Sequence, residues 1–331
     1  MHVLFIGGSG LISTSISRQL IERGDKVTLF NRGNTPVRLP EGSYEVIHGD
    51  RSDYAAFEST FADKKYDVVV DMFAFHPDAA ASDIRAFAGR TGQFIFCSTV
   101  CVYSGPVKTI PTPETEPYHS IGGYGKNKAA CEQMLLQAHA EGKMPVTIMR
   151  PSHSYGEGGT LIRSVGPADT FIDRLRKGKP IIVQGDGNGL WAACHVDDVA
   201  KGFIATMGNP KCYGEAYNIT ADEYISWNTY HETIAEVAGG SFLPVYIPTD
   251  LLHERAPQFS NGMWEIFAWP SIFDNSKLKR DTDYPGQTIP FKEGVRRTIK
   301  WMEENNKIVD SAKDAEEEAL IDWWQKAVKT E

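Results

Sequence analysis

The stretch His2-Val3-Leu4-Phe5-Ile6-Gly7-Gly8-Ser9-Gly10-Leu11-Ile12-Ser13 decides the fold. Its first five residues read as a buried strand, and Leu11 to Arg23 carries a helical pattern that Gly24 is placed to close. The glycines between them permit a tight turn and bring backbone N–H groups to the positive end of a helix, where a pyrophosphate binds. Between a first strand and a first helix, such a turn reads as a dinucleotide seat. Gly7, Ser9, Gly10, Leu11 and Ile12 are its candidate contacts. Ser13 stands where a third glycine is expected and is small enough for close helix–sheet packing.

The same alternation continues outward. Lys26 to Phe30 and Tyr44 to Ile47 read as strands, Tyr54 to Ala62 as a helix, and Asp67 to Asp71 as a strand built on three consecutive valines. A helix over Ala79 to Ala88 precedes a fifth strand, Gln93 to Cys97, and Val146 to Arg150 closes a series of six. Short apolar runs alternating with helices predict an α/β protein: a doubly wound parallel-sheet Rossmann fold. After Pro151 the pattern loosens into shorter elements. Helices are expected near Ala168 to Lys177, Asp198 to Met207, Ser226 to Ala238 and Phe291 to Glu304, and a short strand at Ile181 to Val183. Asp310 to Lys329 reads as a charged, solvated helix with an aromatic anchor at Trp323-Trp324. The expected division is residues 1–155 as an NAD(P)-binding domain and 156–331 as mainly a smaller substrate lobe. Some helices of the second part return to the first, and the lobe is expected above the carboxyl ends of the strands.

Bulk properties exclude several classes. The chain has 331 residues with ordinary globular composition, and its net charge of −9 comes without a long basic stripe, which argues against nucleic acid as the main partner. No apolar run reaches the length of a membrane span, and Met1 leads directly into the first strand. Five cysteines without metal spacing predict reduced thiols, no metal site and a cytoplasmic location.

The second strand runs into Asn31-Arg32 about twenty residues after the glycine turn, where a fold that prefers NAD offers an acid to the ribose 2′-hydroxyl. No acid stands at that strand end, and Arg32 can pair with a 2′-phosphate, so the cofactor reading is NAD(P) leaning to NADP. Asp50, with Arg51 beside it, is placed to contact the adenine.

Tyr124 and Lys128 are four apart in a helical stretch and share one face. A nearby ammonium favours the phenolate and lowers a tyrosine toward the range of a general base. With Gly7-x-x-Gly10, Cys97-Ser98-Thr99-Val100-Cys101-Val102-Tyr103, Arg150-Pro151 followed by Tyr155-Gly156, and His195-Val196-Asp197-Asp198, the pair resembles the extended short-chain dehydrogenase/reductase superfamily. Within it the chain is similar to the NAD-dependent epimerase/dehydratase branch, near an atypical subgroup that includes chloroplast stem-loop binding proteins. That resemblance implies that Tyr124 takes the proton of a substrate hydroxyl as hydride leaves its carbon. Lys128 would bind the nicotinamide ribose and Thr99 would stabilise the alkoxide. Phe73 and Ala74, past the fourth strand, and Pro151, Ser152 and His153, past the sixth, join the cofactor set. His153 as a second acid/base is weighed against a structural histidine.

Departures from the family pattern narrow the reaction. Sugar 4,6-dehydratases follow the threonine with Asp-Glu, whereas Val100 and Cys101 stand here and cannot perform that elimination. Trp191 occupies the position of an arginine that clamps a diphosphate in nucleotide-sugar epimerases. The later aromatics Trp264, Phe267 and Trp269 are either core or an aromatic wall for a sugar ring, and Ser98 and Trp191 are candidate substrate contacts. The leading expectation is a sugar epimerase working through a keto intermediate on a carbohydrate-like small molecule. The alternatives are an NADP-linked reductase or dehydrogenase, and a cofactor-binding RNA-binding or redox-sensing protein without catalysis. A homodimer is expected by analogy with the superfamily.

Overall fold

The computed structural model describes residues 1–329, which divide into two compact units. The first contains Met1–Ser154 together with two later segments, Val196–Ala221 and Phe273–Thr288. It is built on β1 (His2–Ile6), α1 (Leu11–Arg23), β2 (Lys26–Asn31), β3 (Glu45–His48), α2 (Tyr54–Phe61), β4 (Tyr66–Asp71), α3 (Pro77–Phe87), β5 (Thr91–Cys97), α4 (Gly123–Ala140) and β6 (Val146–Pro151). Every pairing in its sheet is parallel. The order runs from the strand Glu215–Ile219 through β6, β5, β4, β1 and β2 to β3.

The chain winds outward from β1 to one edge, then returns to β4 and winds to the other, so the switch point lies between β1 and β4. Register aligns Ile6 with Phe30 on one side and with Asp71 on the other. The residues following these three therefore emerge at one end of the sheet. The sheet interior is almost entirely apolar, as expected for strands covered on both faces. Phe30, Phe57, Phe61 and Phe87 pack edge to face beneath it at centroid separations of 5.1–6.0 Å. Each such pair contributes about 0.5–1.5 kcal/mol beyond the area it buries.

The sequence predicts six strands, and the structure has a seventh in this sheet, Glu215–Ile219, paired with β6. Its polar Glu215 and Asn218 break the apolar run that identifies the other strands, and its register is supplied by β6. The helix Val196–Thr206 also returns here, and the two aspartates of the His-Val-Asp-Asp motif explain how. Asp197 accepts hydrogen bonds from Ser15 Oγ at 2.5 Å and Arg18 Nη2 at 2.6 Å, which fastens the helix to α1. Asp198 accepts from Lys201 Nζ at 2.8 Å and from the Thr288 N–H at 2.9 Å.

The second unit comprises Tyr155–His195, Asp222–Ile272 and the segment from Ile289 onward. Its core gathers Trp191, Trp227, Tyr230, Phe171 and Phe291. Its last helix begins at Ala315 rather than Asp310, because Ser311–Lys313 forms a separate 3-10 turn held by the Ser311 N–H on Asp173 at 2.7 Å. The aromatic anchor is joined by a buried acid: Glu317 is fully enclosed, ion-pairs with Arg163 and Arg174, and accepts the Ile182 N–H at 3.1 Å. All five cysteines are free thiols. Among the described residues no helix is long and apolar enough to cross a membrane.

Candidate active site

The glycine turn opens at the switch point. Gly7 has φ +84°, and a Cβ there would stand 3.2 Å from Phe73 Cβ, so only glycine lets the turn pass beneath the exit of β4. Ser13 does more than stay small. Its Oγ donates to the Gly7 carbonyl at 3.1 Å and accepts the Gly10 N–H at 2.9 Å, stapling the turn to the first turn of α1. No acidic residue occupies that first turn, so nothing offsets the positive end of the helix.

Two adjoining cavities extend from this turn. The smaller, of about 120 Å³, is lined by Gly7, Ser9, Asn31, Arg32, Asp50, Arg51 and Phe73, with Thr35 in addition. Asn31 uses its side-chain oxygen to accept the Gly33 N–H at 2.9 Å, and its Nδ2 is buried without a partner among the described residues. Asp50 is held ionised below its ordinary range by the Ser52 hydroxyl and N–H, with Arg32 contributing a weaker attraction. Arg51 departs from its expected role. It lines the cavity, but its guanidinium turns inward to Asp83 at 2.7 Å and to the Ala79 carbonyl at 2.6 Å, over the face of Phe57. Burial beside Asp71 pushes Asp83 well above the usual carboxylate range. Asp71 in turn accepts the N–H groups of Phe73 and Ala74 and shapes the loop after β4. Ala74 itself is fully buried.

The larger cavity, of about 550 Å³, runs from Gly10, Leu11 and Ile12 to Thr99, Tyr124, Lys128, Pro151 and Ser152. The structure thus brings together on one cavity the three residues to which the resemblance gives chemistry. Gly125 makes that possible: a Cβ there would lie 2.2 Å from the Cys101 carbonyl, so only glycine lets the first turn of α4 meet the 3-10 turn Val100–Tyr103. Thr99 caps that turn by accepting the Cys101 N–H at 3.1 Å, and it lines the cavity together with Tyr124.

The electrostatics differ from the sequence expectation. Desolvation of the phenolate by the cavity wall, reinforced by the Cys97 and Cys101 thiols and opposed by Thr99, raises Tyr124 above its ordinary value although the residue is 45% exposed. Lys128 spends its charge elsewhere. Its ammonium donates to the Cys97 carbonyl at 2.8 Å and sits 4.7 Å from the Phe75 ring centroid and 4.6 Å from that of Phe96. Burial lowers its pKa, against an opposing pull from Cys97 and Asp71.

The other predicted residues divide between this cavity and the packed interior. Ser98 lines the cavity, but its hydroxyl is bonded to the buried carboxylate of Glu132. Burial lowers His153 to about 4, which keeps it neutral and favours its structural reading. Trp191 is a correction. Only 3% exposed, it stacks on Trp227 at 4.5 Å and meets Phe267 edge-on, so the indole is core of the second unit and not a substrate contact. Sequence reasoning missed Thr35, Met72 and Phe75, which line the larger cavity from loops that carry no motif. It also missed Glu132, although its i+4 spacing from Lys128 marks the same helical face.

A family model described as "NAD dependent epimerase/dehydratase family" matches residues 3–220. The chain belongs to this family. A 2'-dehydrokanamycin reductase of Streptomyces kanamyceticus is 25% identical over 321 residues, spanning 97% of this chain and 90% of the relative. The chloroplast stem-loop binding protein of 41 kDa b of Arabidopsis thaliana is 27% identical across 80% of this chain and 69% of its own length. The solved UDP-glucuronic acid 4-epimerase of Bacillus cereus, in complex with NAD, superposes with a TM-score of 0.72 at 18% identity, covering 92% of this chain and 97% of that one. Relatives in the family thus include nicotinamide-dependent enzymes that modify sugars, and the structural likeness establishes the Rossmann-type fold.

Proposed function

We propose that this protein transfers hydride between NADP and a carbon bearing a secondary hydroxyl on a carbohydrate-like substrate, running through a keto intermediate as an epimerase does. The observation that carries the reading is the gathering of Thr99, Tyr124 and Lys128 on a cavity continuous with the glycine turn and the open N-terminus of α1. The residues fit a dinucleotide. An unneutralised helix end suits a pyrophosphate, and the buried, unpartnered Asn31 Nδ2 beside Arg32 offers donors to a phosphorylated ribose. When bound, the nicotinamide supplies the hydride acceptor and donor. Tyr124 would exchange a proton with the substrate oxygen, Thr99 would donate a hydrogen bond to that oxygen as charge develops, and Lys128 would bind the ribose.

A second reading, net reduction of a ketone, has its own support. The Tyr124 phenol is raised above its ordinary value, which favours the protonated form that delivers a proton to a nascent alkoxide. The relative from Streptomyces kanamyceticus is a reductase by name over nearly the whole chain. Cofactor behaviour separates the two. An epimerase regenerates its cofactor each cycle and copurifies with it, whereas a reductase consumes NADPH stoichiometrically. Tyr124→Phe should lower turnover by about 10²-fold or more while leaving dinucleotide affinity within about twofold. Turnover that survives this substitution removes Tyr124 from the chemistry and the proposal with it.

A further inference from the structure

Three large aromatic side chains are left in the open on the larger cavity: Phe73 at 45% exposure, Phe75 at 38% and Tyr124 at 45%. They are contiguous, with ring centroids 5.1 Å apart for Phe73–Phe75 and 6.2 Å for Phe75–Tyr124. Exposed apolar area costs free energy in proportion to its extent, so an adjoining group of exposed rings inside a cavity marks a surface that a ligand covers. Its members divide by position. Phe73 packs against the glycine turn and lines both cavities, so it belongs with the dinucleotide seat. Phe75 lines the larger cavity beside Tyr124, with its ring centroid 4.7 Å from the Lys128 ammonium.

The chemistry of the wall indicates what covers Phe75. Among the described residues lining the larger cavity, Lys128 is the one with a charged side chain, and its ammonium is already bound to the Cys97 carbonyl. With Lys128 assigned to the nicotinamide ribose, the rest of this wall offers no charged side chain to a phosphate or carboxylate of a substrate. An aromatic face suits C–H groups carrying slight positive charge. A saturated six-membered sugar ring has such groups on its faces and hydroxyls around its rim.

We propose that the Phe75 ring, with the Tyr124 ring tilted 46° beside it, receives the apolar face of a neutral pyranose and so aims a rim hydroxyl at the Tyr124 oxygen. Phe75 is on this account a specificity-determining residue of the site, and the inference rests on the reading of Tyr124 as the group that meets the substrate oxygen. Stacking of the ligand on the Phe75 face would select a closed ring over an open chain. An acyclic polyol has the same hydroxyls but no flat apolar face to lay on the platform.

The test is saturation-transfer NMR on the full chain, with and without NADP, using methyl β-D-galactopyranoside as the probe and galactitol as the acyclic control. The pyranoside should receive saturation chiefly at the C–H groups of one ring face, and galactitol should receive little. Phe75→Ala should cut the pyranoside signal at least about fivefold and Phe75→Trp should retain it, with NADP affinity within about twofold in both. Should the alanine variant not fold, Phe75→Leu keeps the bulk without the ring and should lose the signal equally. No transfer to the pyranoside in the wild type, or an undiminished signal in the alanine and leucine variants, overturns the proposal. So does a tenfold or greater loss of NADP affinity on removing the ring, which would assign Phe75 to the nicotinamide seat. The measurement needs no turnover. Tyr124→Phe protein that keeps both its activity and the pyranoside signal would sink the hydride-transfer reading and leave the platform standing.

Discussion

At the scale of single residues, the site combines groups fixed by chain spacing with groups fixed by packing. Tyr124 and Lys128 share a helical face, yet Lys128 leans to the Cys97 carbonyl and the phenol is raised rather than lowered. Arg32 supplies the residue-scale prediction. Exposed at the end of β2 on the smaller cavity, it is the cation available to a 2′-phosphate. Charge-assisted hydrogen bonds are worth about 1.5–3 kcal/mol, so Arg32→Ala should weaken NADP by roughly tenfold to a hundredfold. NAD, which lacks that phosphate, should change little, and titrating both dinucleotides checks it. Equal losses would remove the preference for NADP. The pair Tyr124–Lys128 was legible because helical spacing alone sets it. The inward turn of Arg51 was not, because it is decided by Asp83 and Phe57, far away along the chain.

At the scale of elements, α4 is the part on which the chemistry rests, and a buried network locks it to β5 and β6. Glu132 receives hydrogen bonds from Ser98 Oγ, from Tyr118 at 2.8 Å and from Arg150 Nε at 3.0 Å. Arg150 further bonds Tyr103 and Tyr118. Glu132 and Arg150 are both buried, so removing one partner leaves an uncompensated charge. Glu132→Ala should destabilise the protein by about 3–5 kcal/mol in denaturant unfolding. Removing both charges in Glu132→Gln with Arg150→Met should recover part of that loss. A double variant as unstable as the single one would mean that the ion pair itself contributes net stability. The first three helices and six strands were readable to within a few residues from periodicity and end signals. The strand Glu215–Ile219 was not, because its pairing partner, and not its own pattern, makes it a strand.

At the scale of the whole molecule, stability should fall with acid before the carboxylates titrate. His231 is fully enclosed, and burial, helped by nearby Arg163, lowers it from 6.5 to about 3. Its folded pKa lies below its unfolded one, so the unfolded chain takes up the proton first. The neutral imidazole's contribution is complete above about pH 6.5 and is lost progressively as the pH falls toward 3. Between pH 7 and 5 this single group should cost about 2 kcal/mol, and half-buried His153 should act in the same direction. His231 accepts the Ser164 N–H at 3.2 Å, so His231→Gln should lower stability at neutral pH yet flatten the slope over that interval. Urea unfolding at a series of pH values measures it, and an unchanged slope would exclude His231 as the source. By itself, the sequence determined the parallel α/β scaffold, the glycine turn and the Tyr124–Lys128 pair, because each is written in local periodicity or spacing. Only the tertiary structure decided that Trp191 is core, that Glu132 and Arg150 hold α4, and that Phe75 stands open beside Tyr124. Side-chain burial and direction depend on contacts between segments distant in the chain, and no local pattern encodes them.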